Sequence, residues 1–336
     1  MSASATPILF ERVIASQEML AISRDQTDLR GVDRLIIENV RLSKKAEQNL
    51  FRAMEGNATL REVSISSIRV ADPVAFAGRL AAVLHSLPAL HTVQFDMPAV
   101  QTFAEALGTV HFKRLKLLSR EGERFTMRAL AEFLEKNTTV SVLELCMVHF
   151  VGPTQLSTFG GVTQLNLSGS LFADGTFRYF VLAFEKSRSL KTLDFFSCRL
   201  DKEDMLSAIE AAQKIPTLER LNFQMNPSGP ATVHAFIHAL ESVSRADLVL
   251  RLPMENITAD LLLALAKTVR GNPFLESLMI TTAKKWAKNF PELMHERIIA
   301  AFAGGLNEER GYVVYNRKNT AALLLWEEGK GRKSKT

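Results

Sequence analysis

The sequence predicts an α/β protein: about ten strand–helix units stacked into a curved solenoid, with a parallel β-sheet on its concave face and helices on its convex face. Three observations predict this. The pattern apolar-x-x-apolar-x-apolar starts at Val32, Leu60, Leu90, Phe112, Val140, Val162, Leu190, Leu218, Arg245 and Leu275. Of its thirty positions 29 are apolar, in a chain that is 47% hydrophobic, so chance would fill about half of them. Only Arg245 breaks the pattern. Successive starts lie 28, 30, 22, 28, 22, 28, 28, 27 and 30 residues apart, which is one strand plus one return segment. Between the strands, apolar residues recur at helical spacing, as in Leu50, Phe51 and Met54 or Leu130, Phe133 and Leu134.

Residues 1–31 read as an N-terminal helical cap. Thr6 and Pro7 suit a helix start, and Leu9, Val13 and Leu20 give it an apolar stripe to cover the open end of the stack. Residues 32–310 hold the repeats. A length of 336 residues alone suggests two domains, but a unit that cannot bury its own apolar face shares one core with its neighbours. The 22-residue units starting at Leu90 and Val140 leave less room for a helix. Asn57, Asn137 and Asn272 each stand three residues before a strand's first anchor. Asn tolerates the left-handed backbone that ends a helix, so these are read as caps. Pro291 opens a last helix with Leu293, Ile298 and Phe302, stopped by Gly304 and Gly305. Residues 311–336 are a capping strand at Tyr312 to Tyr315 and a basic tail. There Arg317, Lys318, Lys330, Arg332, Lys333 and Lys335 against Glu327 and Glu328 hold +4 of the net +5.

The units LREVSI, FKRLKL, VSVLEL, VTQLNL, LKTLDF and LERLNF resemble those of the ribonuclease-inhibitor-like leucine-rich repeat family, over residues 32 to about 283. The resemblance implies the horseshoe fold and no particular activity. Such repeats usually place Asn or Cys three residues after the last strand anchor. Here only Cys198 and Asn226 match, with Val40, Ile68, Pro98, Arg120, Val148 and Ser170 elsewhere, so loop details are not transferred. Similar solenoids include bacterial effectors delivered into host cells, with which the Ser-, Ala- and Thr-rich start is compatible. They also include GTPase-activating proteins, whose acidic tail contrasts with the basic one here, and ubiquitin ligases with a nucleophilic Cys followed two residues later by Asp. Val148 after Cys146 and Leu200 after Cys198 do not match that ligase pattern.

The composition, 23% charged, is that of an ordinary globular protein and excludes disorder and collagen. No apolar run approaches the roughly 20 residues of a membrane span, and the start lacks a secretory signal. Two cysteines give neither a disulfide framework nor metal spacing, which fits a reducing, cytoplasmic setting.

Catalytic signatures are missing. No phosphate-binding glycine loop, dinucleotide fingerprint, nucleophile elbow or Cys-x-x-Cys occurs, and the metalloprotease-like start at His295 and Glu296 meets Ile299 where a second His is required. His234, His238 and Glu241 share a helix face, but the buried stripe Val233, Phe236, Ile237 and Leu240 puts them on the outside, so a solvated face is preferred to a metal site. Cys146 alternates outward on a strand, which makes a reactive thiol conceivable and inertness the preferred reading. The chain is therefore expected to be no enzyme and to need no cofactor.

Strand residues between and after the anchors point onto the concave face, where about thirty positions match the 20 to 30 residues a protein interface uses per side. The expected partner is a protein, with Arg114, Lys116, Leu118, Val142, Glu144, Asp194, Phe196, Arg220, Gln224 and Arg251 as candidate contacts. Phe196 is the expected anchor, ringed by Arg114 and Arg220. Positive residues Arg34, Arg114, Lys116, Arg220 and Arg251 face Glu38, Glu62, Asp96, Glu144, Asp194 and Asp247, with Lys116 beside Glu144 and Arg220 beside Asp247. That balance, with almost no aromatic residues, argues against nucleic acid on this face. Asn166, Asp194 and Asn222 form one outward column, read as a hydrogen-bonded ladder in preference to a calcium site.

Overall fold

The computed structural model describes residues 11–14, 29–119, 122–243, 249–253, 258–272, 277–281 and 312–316. The chain divides into two units, Met1–Thr192 and Leu193–Thr336. In the first, strands β1 (Glu11–Ile14), β2 (Arg34–Glu38), β3 (Glu62–Ser66), β4 (Thr92–Asp96), β5 (Arg114–Leu118), β7 (Val142–Cys146) and β9 (Gln164–Asn166) lie side by side in that order and pair in parallel. The register aligns the anchors, Leu35 with Val63, Val93, Leu115, Leu143 and Leu165 in turn, and all six are buried. Parallel neighbours require a crossover each time, and most crossovers here are helical. They are α1 (Lys44–Met54), α2 (Pro73–His85), α3 (Val100–Leu107), α4 (Met127–Lys136) and α5 (Phe177–Glu185). Ser43, Asp72 and Thr126 cap α1, α2 and α4 with side-chain oxygens that accept from the backbone N–H three residues on.

The unit that starts at Val140 has no helix. Instead β8 (His149–Val151) lies between β6 (Arg124–Thr126) and β10 (Leu171–Phe172) in a second, three-stranded parallel sheet. Phe150 stacks on Phe172 at 5.3 Å and meets Phe125 and Phe180 edge-on at 6.0 and 4.9 Å. One ring per short strand, buried at Phe125 and Phe150 and half-buried at Phe172, thus fills the layer that a helix occupies in neighbouring repeats.

In the second unit, β11 (Thr192–Asp194), β12 (Arg220–Asn222), β13 (Val249–Pro253), β14 (Ser277–Thr281) and β15 (Tyr312–Asn316) are neighbours in that order. The pairs β12–β13 and β13–β14 are parallel. The capping strand expected at Tyr312 to Tyr315 is β15, which runs antiparallel to β14. Helices α6 (Lys202–Lys214), α7 (Pro230–Glu241) and α8 (Ala259–Gly271) follow β11, β12 and β13. The expected last helix from Pro291 and the basic tail lie outside the described residues. No helix among the described residues is long and apolar enough to cross a membrane.

Three expectations change. Glu11–Ile14, placed in a helical cap, is a strand paired with β2, with Val13 38% exposed and Ile14 buried. Two adjacent β-branched residues suit a pleated edge better than a helix. Leu9 and Leu20 lie outside the described residues. The ninth repeat is shifted by two residues. Leu221 pairs with Leu250, so the inner anchors are Leu250 and Leu252, both buried, and Arg220 faces Val249, not Asp247. Leu248, Leu250 and Leu252 alternate at period two, and a two-residue slip keeps every side chain on its own face, so alternation alone cannot choose the register. Finally, Asn137 and Asn272 end helices with φ of −118° and −86°, not left-handed. Their amides reach back instead. Asn137 Nδ2 donates to Gly108 O at 2.7 Å, Asn272 Nδ2 to Leu240 O at 2.7 Å, and Asn57 Nδ2 to Leu29 O at 2.8 Å. Each stitches its turn to the preceding repeat.

Candidate protein-binding face

The alternation that buries the anchors presents the intervening residues on the opposite face of each sheet. In the first unit Arg114, Lys116 and Leu118 of β5 stand in register with Val142, Glu144 and Cys146 of β7. Lys116 Nζ lies 3.9 Å from Glu144 Oε2, as expected for this pair, and Arg34 Nε lies 3.0 Å from Glu62 Oε1. Arg114 is exposed, while Leu118 and Val142 are half-buried. The column that ends in Leu118 and Cys146 is more covered than its alternation suggested. Asp96 is 3% exposed and Cys146 6%. A thiol so enclosed is a poor nucleophile, which removes the reason for regarding Cys146 as reactive.

In the second unit Asp194, Phe196, Arg220, Gln224 and Arg251 share the sheet face. Asn222 Nδ2 donates to both carboxylate oxygens of Asp194 at 3.1 Å, which makes these two the rungs of a ladder. Each also fixes the turn beyond its strand. Asp194 Oδ1 accepts from Phe196 N at 2.8 Å and Asn222 Oδ1 from Gln224 N at 3.0 Å; in the first unit Asn166 Oδ1 likewise accepts from Ser168 N at 2.9 Å. Their oxygens are thus engaged in the fold. Below this layer Phe195 and Phe223 stack at 5.5 Å in the core, and Phe196, the residue after Phe195, remains 39% exposed. Its backbone is pinned and its ring is available.

Charge count and charge availability differ on these faces. Glu62, Glu144 and Asp194 are engaged by Arg34, Lys116 and Asn222, and Asp96 is buried. Arg114, Arg220 and Arg251 have no ion-pair partner among the described residues. Asn222 is neutral and leaves the charge of Asp194 in place, and Glu38 has no ion-pair partner among the described residues, so what these faces leave for a ligand is a modest positive excess. In the second unit, Arg220 stands beside Val249 and Arg251 beside Asn222 and Met279.

Met147 and Met225 carry a feature that strand alternation does not announce. Left-handed backbone recurs two residues past the last strand anchor, at Asn39, Ser67, Met147, Gly169, Ser197 and Met225. Asn, Ser and Gly accept it readily; Met bears the steric cost of about 1 kcal/mol and still exposes its side chain, by 52% at Met225. A large apolar residue where most other repeats hold Asn, Ser or Gly was the available signal, although Met97 after β4 holds that place without left-handed backbone. Cys198 and Asn226, the two matches to the family's turn position, are both buried. Asn226 Nδ2 donates to Phe195 O and Phe223 O at 2.8 Å, and its Oδ1 accepts from Leu200 N at 2.9 Å.

His234 and His238 are exposed on α7, with His238 Nδ1 3.1 Å from Glu241 Oε2. Among the described residues no three His, Cys, Asp or Glu side chains gather as metal ligands. No protein-family model matches the chain, and no curated protein matches it.

Proposed function

We propose that the chain is a non-enzymatic leucine-rich repeat module whose sheet face captures another protein. The observation that carries this reading is exposed Phe196 in the same unit as outward-placed Arg220 and half-buried Arg251, two guanidinium groups without a carboxylate partner among the described residues. Aromatic and arginine side chains dominate the energy of protein interfaces, and a pinned backbone lowers the ordering cost of using Phe196. Met225 and Gln224 extend the apolar and polar contacts around it. The partner that fits presents an apolar pocket edged by carboxylates, and Arg114 with Leu118 and Val142 offers the first unit's counterpart. Unpaired arginines with a single exposed ring do not make the stacking platform that single-stranded nucleic acid requires. Two buried free cysteines, Cys146 and Cys198, suit work in a reducing compartment.

The test is affinity capture with the intact chain, compared with Phe196→Ala and with Arg220→Ala/Arg251→Ala, followed by a binding curve for each captured protein. Phe196→Ala should weaken binding by about tenfold with unchanged unfolding temperature. The arginine variant should weaken it further at low salt than at high salt. A protein captured equally by all three chains would place recognition elsewhere.

A further inference from the structure

Away from the sheet face, the first unit holds a cleft of about 660 Å³ where the chain turns from β2 and β3 into α1 and α2. Arg41, Lys44 and Arg69 line it over a floor that includes Leu42, Ile68 and Met97, all three buried. Arg41 and Arg69 are partners in an isolated parallel bridge. Arg69 N donates to Val40 O at 2.8 Å and Leu42 N to Arg69 O at 2.9 Å, which locks the two arginines side by side. Neighbouring strands are about 4.8 Å apart, so two like-charged, exposed side chains stem from adjacent backbone positions, an arrangement that disfavours stability. Among the described residues neither arginine has an ion-pair partner, and neither does Lys44. Each cation has a carboxylate three residues away in sequence: Glu47 is engaged by Arg79, Asp72 accepts from Ala75 N as the α2 cap, and Glu38 forms no ion pair among the described residues. The sheet does not need this pair, since the equivalent position after β4 is Ala99.

We propose that this cleft binds an organic phosphate monoester. Three cations with no internal counter-charge match a group that carries close to two negative charges and three acceptor oxygens. Guanidinium forks bind such oxygens in pairs, and the first turn of α1, which Lys44 opens, adds its positive end. A bare phosphate would leave most of the cleft unfilled. The apolar floor therefore calls for an ester whose organic part covers Leu42, Ile68 and Met97. The site is independent of the sheet-face reading, and either stands if the other fails.

The experiment is calorimetric titration of the intact chain with phenyl phosphate, inorganic phosphate and benzoate, paired with thermal unfolding. Phenyl phosphate should bind tightest and benzoate weakest. Arg41→Gln/Arg69→Gln should lose about tenfold or more in phenyl phosphate affinity, Lys44→Gln severalfold, and Arg128→Gln on α4 nothing. Without ligand, the double variant should melt at or above the wild-type temperature, because it removes repulsion, and should lose the rise that phenyl phosphate gives. A pair with a purely structural role would instead lower the melting temperature. If the double variant folds poorly, Arg41→Gln alone must still show a loss of affinity. Equal affinity in wild type and arginine variants, or no saturable binding of phenyl phosphate, would overturn the proposal. Inorganic phosphate binding as tightly as the ester would overturn the assignment of the apolar floor. A phosphotyrosine peptide that binds more tightly than phenyl phosphate would identify the ester's source as a protein, and equal binding a small molecule; both support the site.

Discussion

Asn137 holds three backbone groups at once, two of them buried. Its amide donates to Gly108 O and Phe133 O at 2.7 and 2.8 Å, and its oxygen accepts from Val110 N at 2.7 Å. Asn137→Ala leaves all three without a partner and should cost about 2 to 3 kcal/mol in urea unfolding. Ser187 holds the same place two repeats later, buried with an unsatisfied hydroxyl, so Ser187→Ala should be neutral or slightly stabilising in the same assay. Asp204, in the first turn of α6, shows the opposite economy. Burial first, then the charges of Asp201 and Glu203, push its carboxyl up to about 6. An unfolded chain releases that proton near pH 4, so between about 4 and 6 the folded state binds more protons and stability falls as pH rises. The contribution is complete below that window and gone above it. Asp204→Asn should therefore raise the melting temperature at pH 7.5 and leave it unchanged at pH 4. The gain will be small, because the group is half solvated and the helix's positive end already favours its charge.

Among the elements, α3 shows what its own segment cannot supply. Ala99 precedes it in left-handed conformation with no side-chain cap, and the Glu123 carboxylate closes the gap by accepting from Ala99 N and Val100 N at 2.8 and 3.1 Å. Glu123→Ala should lower stability by about 2 kcal/mol, with Glu123→Gln restoring part of it, as read from urea midpoints. No local pattern could announce a cap that comes from 23 residues downstream. The strands were legible because their anchors repeat at fixed offsets, whereas β6, β8 and β10 are too short for alternation to register. Register at β13 failed for a different reason, since three leucines at period two satisfy two pairings equally. At the candidate face, the strand alternation put Phe196, Arg220 and Arg251 on the outward side, where Phe196 and Arg220 are exposed and Arg251 is half-buried. It also put Lys116 beside Glu144 and read Asp194 and Asn222 as a ladder, but it could not say that Asp96 and Cys146 would be buried, because cover depends on how the neighbouring turns pack.

At the scale of the whole chain, the bonds that join repeats are near-neighbour bonds. Asn57, Asn137 and Asn272 reach back 28, 29 and 32 residues. Within each unit, strands joined this way make nearly independent links. Asn57→Ala and Asn137→Ala, three strands apart in the first unit, should combine additively to within about 0.5 kcal/mol, as measured by a double-mutant unfolding cycle. Substantial coupling would mean that strain travels across the intervening repeats. The helix-free return after β8 has a practical corollary. Its sheet pairing is complete at Val151, and the next two residues, Gly152 and Pro153, are both exposed, with Gly152 at φ 95°. A foreign sequence spliced between them, whether epitope, fluorophore tag or protease site, interrupts no ladder and displaces no ring of the phenylalanine row, which makes that junction the place to instrument this protein without disturbing it.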